Sequence, residues 1–371
     1  MISRRHFLAA SAASCVAAAR AQPAAGAYSF LLLGDLHFDR WEHHDRAWLE
    51  KHHPGDLSQI ENYTRLTREV MPQVFAALKQ RADALRADGM RPAFALQVGD
   101  LVEGLCGSAE LAALQNREAV EFIQTSALRL PFLFTKGNHD ITGDGAVEAF
   151  QAILRPFMAA QARQLDTAAG QAGDNWTLRH DNDQWVFFDA YDKTSLDWLE
   201  ATLAQRTARH LFVSVHPPVV PYGARASWHL FAGDKARAQR EHLLALLGRH
   251  QAIVLGGHLH KFSALTRTAG GGRFTQLAVS SVVSSPKQTV RQELRGVATY
   301  QGDQVDLEPR HSPETAPMRR AIYETERASV TAFEFADTAG YAVITVDGTR
   351  VEAAIHAGTA ALPFRTVRLA G

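Results

Sequence analysis

The chain has 371 residues, of which 46% are apolar and 21% charged, with 39 basic against 39 acidic side chains. These values exclude a fibre or a disordered chain and leave room for one large α/β domain plus an extension. Arg4, Arg5 and Arg20 fall in the first 21 residues, which hold no acid, so the remainder counts 36 basic against 39 acidic residues, a formal charge of −3. A slightly acidic body argues against broad nucleic-acid binding by phosphate neutralisation.

The first element reads as a targeting segment. MISRRHFLAASAASCVAAARAQPAA combines a basic start, an apolar run of about a dozen residues and Ala19-Arg20-Ala21 as a small-x-small cleavage site. The run is too short and alanine-rich to span a bilayer, so no membrane span is expected in the mature form. Ser3-Arg4-Arg5-His6-Phe7-Leu8 resembles the twin-arginine export motif. The expectation is export through that machinery to a bacterial periplasm or beyond, with residues 1–21 removed. The mature chain then keeps one cysteine, Cys106, and no intrachain disulfide; with no His or Asn pattern around it to suggest activation, Cys106 reads as a small buried filler.

Next come short apolar runs, each ending in a residue able to bind metal or move a proton. YSFLLLGDLH delivers Asp35 and His37, FALQVGD delivers Asp100, and LPFLFTKGNHD delivers Asn138, His139 and Asp140. HLFVSVHPP delivers His216, and AIVLGGHLH delivers His258 and His260. The runs show little period-two alternation, which suits strands covered on both faces. Between them, residues 60–89 and 235–250 have helical spacing. Strand and helix alternation predicts a parallel or mixed α/β sheet with ligands gathered outside the carboxyl ends of its strands. Residues 38–58 form a histidine-rich insertion holding His43, His44, His52 and His53, open between a lid, a solvated loop and a further metal site. Asp189 and Asp192, after WVFF, read as turn residues. From residue 301 the chain turns polar, and YAVITVDGTRVEAAIHAG predicts two strands joined at Asp347-Gly348. The expected organisation is a signal over 1–21, a main domain over 22–300 and a small β-rich extension over 301–371.

In order, the motifs are D-x-H at 35 and 37, G-D at 99 and 100, G-N-H-D at 137–140, a lone His216 and G-H-x-H at 257–260. The set resembles the calcineurin-like metallophosphoesterase family over residues 28–285. The resemblance implies a double β-sheet sandwich flanked by helices and two transition-metal ions, drawn from Fe, Mn, Zn, Co or Ni. It implies that Asp35, His37 and His260 hold one ion, that Asn138, His216 and His258 hold the other, and that Asp100 bridges them. It further implies that a hydroxide shared by the ions attacks a phosphate ester, that His139 protonates the leaving oxygen, and that Asp140 accepts a hydrogen bond from His139 and sets its tautomer. A mixed N/O ligand set suits such metals better than thiolates would. Glu103 stands three residues after Asp100 where purple acid phosphatases carry tyrosine, which argues against that branch. Phosphodiesters are the favoured small substrates; a monoesterase, a nuclease and a non-catalytic scaffold are the alternatives. There is no G-x-S-x-G elbow, no G-x-x-x-x-G-K-[ST] phosphate loop and no C-x-x-C pair.

Overall fold

The structure, a computed structural model, describes residues 26–308 and 315–371. The segment read as an export signal lies outside the described residues. In chain order the strands are β1 (Tyr28–Leu33), β2 (Arg91–Gln97) and β3 (Phe132–Phe134), then β4 (Gly170–Ala172), β5 (Asn175–His180) and β6 (Asp183–Phe187). They continue with β7 (Leu211–Ser214), β8 (Ile253–Gly256), β9 (Phe262–Ala269), β10 (Gly272–Ala278) and β11 (Arg291–Arg295). The last four are β12 (Val330–Asp337), β13 (Gly340–Asp347), β14 (Arg350–Ala357) and β15 (Arg365–Ala370).

They form two sheets, a six-stranded one in the order β15-β14-β13-β1-β2-β3 and a nine-stranded one in the order β11-β12-β9-β10-β8-β7-β6-β5-β4. Within them β1, β2 and β3 run parallel, as do β6, β7, β8 and β10. The inner faces meet through large rings. Trp185 of β6 stacks on Phe212 of β7 at 4.1 Å and meets Phe30 of β1 edge-on at 4.9 Å. Every residue of β1, β3, β7 and β8 is buried, as expected of apolar runs covered on both faces.

Two readings are corrected. The helical stretch at 60–89 is two helices, Leu57–Glu69 and Met71–Ala87. Pro72 enters at the start of the second, where its missing N–H costs nothing, and a continuous helix would clash there. The hairpin turn is Gly348-Thr349, because Asp347 pairs with Arg350; Gly348 takes φ +59°, the first central position at which a two-residue turn wants glycine. The expected β-rich extension supplies strands to both sheets. β13 lies against β1 in the middle of the six-stranded sheet, and β12 lies against β9 in the other sheet. A lone hairpin could not bury its apolar face, and β1 would otherwise present an unpaired edge.

Candidate metal centre

Each site residue stands just beyond the carboxyl end of a parallel strand: Asp35 and His37 after β1, Asp100 after β2, Asn138 to Asp140 after β3, His216 after β7, and His258 and His260 after β8. Tight backbone turns bring them inward. His37, Asp100, His258 and His260 all have positive φ, at 47°, 56°, 70° and 54°, a conformation that costs non-glycine residues about 1–3 kcal/mol and clusters at functional sites. Gly137 permits the closest approach, since a Cβ there would meet the Asp100 amide nitrogen and Oδ1 at 2.1 Å. Gly99 combines φ +106° with a Cβ position 2.3 Å from His216 Nδ1.

The side chains form three overlapping groups of metal-competent atoms: Asp35, His37 and His260; Asp100, His216 and His258; and His37, Glu103 and His139. Asp100 Oδ2 lies 3.0 Å from His216 Nε2 and 3.9 Å from His37 Nε2, between the first two groups. Asp35 Oδ1 lies 3.5 Å from His260 Nε2 and 3.8 Å from His216 Nε2, and both Asp35 oxygens accept from the His258 amide. His216 Nδ1 is 2.9 Å from the Val98 carbonyl, which leaves Nε2 to face the centre.

The donor set fits metal. Asn138 Oδ1 is buried with no hydrogen-bond partner, an arrangement that is costly unless a cation uses it. His37 Nε2 faces His260 Nε2 at 3.0 Å, and His216 Nε2 faces His258 Nδ1 at 3.1 Å; ring nitrogens approach this closely around a shared proton or a cation. Among the described residues the ion partners of Asp35 and Asp100 are histidines alone, with no lysine or arginine. Burial by itself would raise both carboxyls, and the surrounding imidazoles outweigh it: His260 and His216 hold Asp35 below the ordinary range, and His216, His139 and His37 do so for Asp100. Burial and the neighbouring His216 push His258 down to about 3, so the imidazoles of this cluster are not all protonated together.

Asp140 does not serve His139. Its carboxylate accepts the backbone amides of Gly137 (2.7 Å), Leu101 (2.8 Å), Val102 (3.1 Å) and Asp100 (3.2 Å), clamping the loop after β2 to the loop after β3. The expected Asp140–His139 hydrogen bond is replaced by one from His139 Nδ1 to the Glu103 carbonyl at 2.8 Å, with Glu103 Oε2 at 3.3 Å. Glu103 is the residue that sequence reasoning used only to exclude a tyrosine. It is fully buried, its Oε2 lies 2.6 Å from His37 Nδ1, and its Oε1 accepts from Gln59 Nε2 at 2.9 Å. The available signal was its position three residues after Asp100, inside the G-D turn.

The first part of the histidine-rich insertion is packed into the structure rather than solvated. His44 joins Asp39 Oδ1 (2.7 Å) to the Leu105 carbonyl (3.0 Å), and Gln115 ties Asp39 to the Gly104 amide. His43 is buried against Glu118, while His52 and His53 pack on Trp48. None of these four belongs to a metal-competent group among the described residues. The insertion therefore buttresses the segment that carries Glu103. Cys106 is buried with its thiol pushed above the ordinary range, chiefly by desolvation, as suits a filler. Asp192 caps a turn at Thr194, whereas Asp189 does more than turn the chain, holding Lys136 at 2.5 Å.

Solved structures share this architecture. The chain aligns over 93% of its length with 54% of a purple acid phosphatase from yellow lupin (TM-score 0.53, 12% identity) and over 92% with 68% of a protein titled PhoD (0.50, 13%). It aligns over 92% with 98% of a dimetal phosphatase from Danio rerio (0.50, 12%). At such identities the likeness is one of fold. Curated relatives named 8-amino-7-oxononanoate synthase, from Burkholderia cenocepacia and Burkholderia ambifaria, are 30% identical over 186 and 196 residues, 49% and 52% of this chain. The chain spans 41% and 37% of those relatives' own length, so their name assigns it no activity. The family description "Calcineurin-like phosphoesterase" matches residues 28–262, and the chain belongs to that family.

Proposed function

We propose that the protein is an exported dinuclear phosphohydrolase in which Asp35, His37 and His260 hold one transition-metal ion, Asn138, His216 and His258 hold the other, and Asp100 serves both. The observation that carries this is the orphaned Asn138 Oδ1 amid four imidazoles and two carboxylates delivered by separate strand ends. Bound ions of this class supply Lewis acidity and a nucleophile at neutral pH. The chain's own residues do the rest. Glu103 orients His37 from Nδ1, leaving Nε2 directed at the centre, and it fixes the His139 ring through its carbonyl. That leaves His139 Nε2 to carry the proton delivered to the leaving oxygen, and the ring is 21% exposed, within reach of a substrate.

Phosphodiesters remain the favoured substrates and monoesters the alternative. Assaying the metal-replete protein on matched model mono- and diesters decides between them: a higher kcat/KM on the diester is expected, and a monoester preference overturns that part. Arg4-Arg5 and Ala19-Arg20-Ala21 support export. Mass spectrometry of periplasmic material is expected to find a chain starting at Gln22. Retention of Met1 in that pool would refute cleavage, and undiminished export after Arg4→Lys with Arg5→Lys would refute the route.

A further inference from the structure

Among the described residues two large aromatic side chains are exposed, Trp228 at 47% and Tyr191 at 37%, and Trp228 stands beside the proposed ligand His258. The Trp228 indole lies 5.7 Å from the His258 ring, centroid to centroid. The Arg225 guanidinium stands over the indole at 4.9 Å and is itself held by Glu308 at 3.2 Å. Tyr191 enters from the loop after β6. Its amide donates to Asp189 Oδ1, and Asp189 Oδ2 holds Lys136, two residues before Asn138.

The backbone that carries the indole is held in place. Trp228 ends a short turn, Ala226–Trp228, in the segment that follows His216, and that segment is tied down on several sides. Leu230 N–H donates to the Pro218 carbonyl (2.8 Å), Arg319 Nη1 to the Ala224 carbonyl (2.7 Å) and the Tyr323 hydroxyl to the Gly223 carbonyl (2.7 Å). An aromatic surface fixed in advance loses little conformational entropy when a flat group settles on it. Scattered exposed apolar residues need no explanation. Here the exposed indole stands against a proposed metal ligand, and an aliphatic leaving group would gain little from an indole backed by a guanidinium.

We propose that Trp228 is a specificity residue that stacks on a planar ring of the phosphate ester, so that the preferred substrates are of the nucleotide class, with phosphorus at the metal centre and the base on the indole. The inference rests on the phosphohydrolase reading for the placement of phosphorus. Calorimetric titration of the metal-replete protein with AMP, glycerol 3-phosphate and inorganic phosphate tests it. AMP is expected to bind the wild type more tightly than glycerol 3-phosphate. Trp228→Ala is expected to lose roughly 5- to 100-fold in AMP affinity, the range for one base–aromatic stack, with the other two ligands shifted less than about twofold. Trp228→Phe, which keeps a stacking face, is expected to recover most of the loss. Equal affinity for AMP and glycerol 3-phosphate in the wild type, or an equal loss on all three ligands in Trp228→Ala, overturns the proposal. If AMP binds through Trp228 but no ester is hydrolysed, the phosphohydrolase reading fails and this one stands. If esters are hydrolysed with AMP affinity indifferent to Trp228, this one alone fails.

Discussion

His139 and Asp140 are neighbours in the chain and serve different parts of the molecule. Asp140 spends its oxygens on four backbone amides, so Asp140→Asn, which trades an acceptor oxygen for an NH₂ group, is expected to disorder two loops and to lower metal content as well as rate. His139 touches no proposed ligand through its side-chain hydrogen bond, so His139→Asn is expected to keep its metal and lose roughly 10² to 10⁴ in turnover. The loss should be large for an alkoxide leaving group and small for nitrophenolate, which departs without help; equal losses on both would make its role electrostatic. Asp100→Ala is expected to strip more metal than any other single ligand change, as elemental analysis would show, because Asp100 stands between both groups of donors. Glu103 acts through others. Glu103→Gln keeps the backbone carbonyl that orients His139 but weakens the grip on His37, so metal affinity is expected to fall about 10- to 100-fold, the usual effect of losing an outer carboxylate partner.

At the scale of elements, the segment after β7 and the C-terminal strands depend on each other. The Tyr323 hydroxyl caps the buried Gly223 carbonyl, and Gly223 N–H donates to Gln304 Oε1 at 2.9 Å. Tyr323→Phe leaves that carbonyl unsatisfied at a cost of about 1–3 kcal/mol, measurable as a lower denaturant midpoint with unchanged m-value. The same logic applies more strongly to β13. A chain ended at Thr338 loses β13, β14 and β15 and leaves β1, the strand that presents Asp35 and His37, with an open edge. Such a chain is expected to be insoluble or metal-free; a soluble, cooperative, metal-loaded product would show that the main domain folds without these strands.

For the whole molecule, two histidines remote from the proposed ligands couple folding to pH. Burial first, then Arg240, pushes His229 down to about 4, and burial likewise pushes His356 down to about 4 despite its bond to the Ala360 carbonyl. Unfolded histidine takes up its proton near 6.5, so between pH 6.5 and 4 the unfolded chain binds more protons and folding weakens as the pH falls. Each shift corresponds to at most about 3 kcal/mol, present above pH 6.5 and lost towards pH 4. Urea midpoints of wild type and His356→Gln, compared at pH 7.5 and 5, are expected to show a shallower acid loss in the variant. Parallel losses would show that His356 titrates alike in both states.

The sequence by itself determined which residues stand just beyond the strand ends. A buried parallel strand reads as an unbroken apolar run, and the residue after it must be the one presented at its carboxyl end, so Asp35, Asp100, Asn138, His216 and His260 were legible one by one. It also disclosed the family, because the ordered set of short motifs is more specific than any member. What it did not disclose are partnerships between segments far apart in the chain. Nothing local tells Asp140 to serve backbone amides 38 to 40 residues away, or Glu103 to lie against His37. Nor could composition show that a polar tail returns to complete both sheets, since a strand's partner is chosen by what remains unpaired once the other strands have assembled. Hydrogen bonds and close packing act through space, so only the tertiary structure decided which carboxylate clamps a loop, which orients a histidine and which indole stands at the mouth of the site.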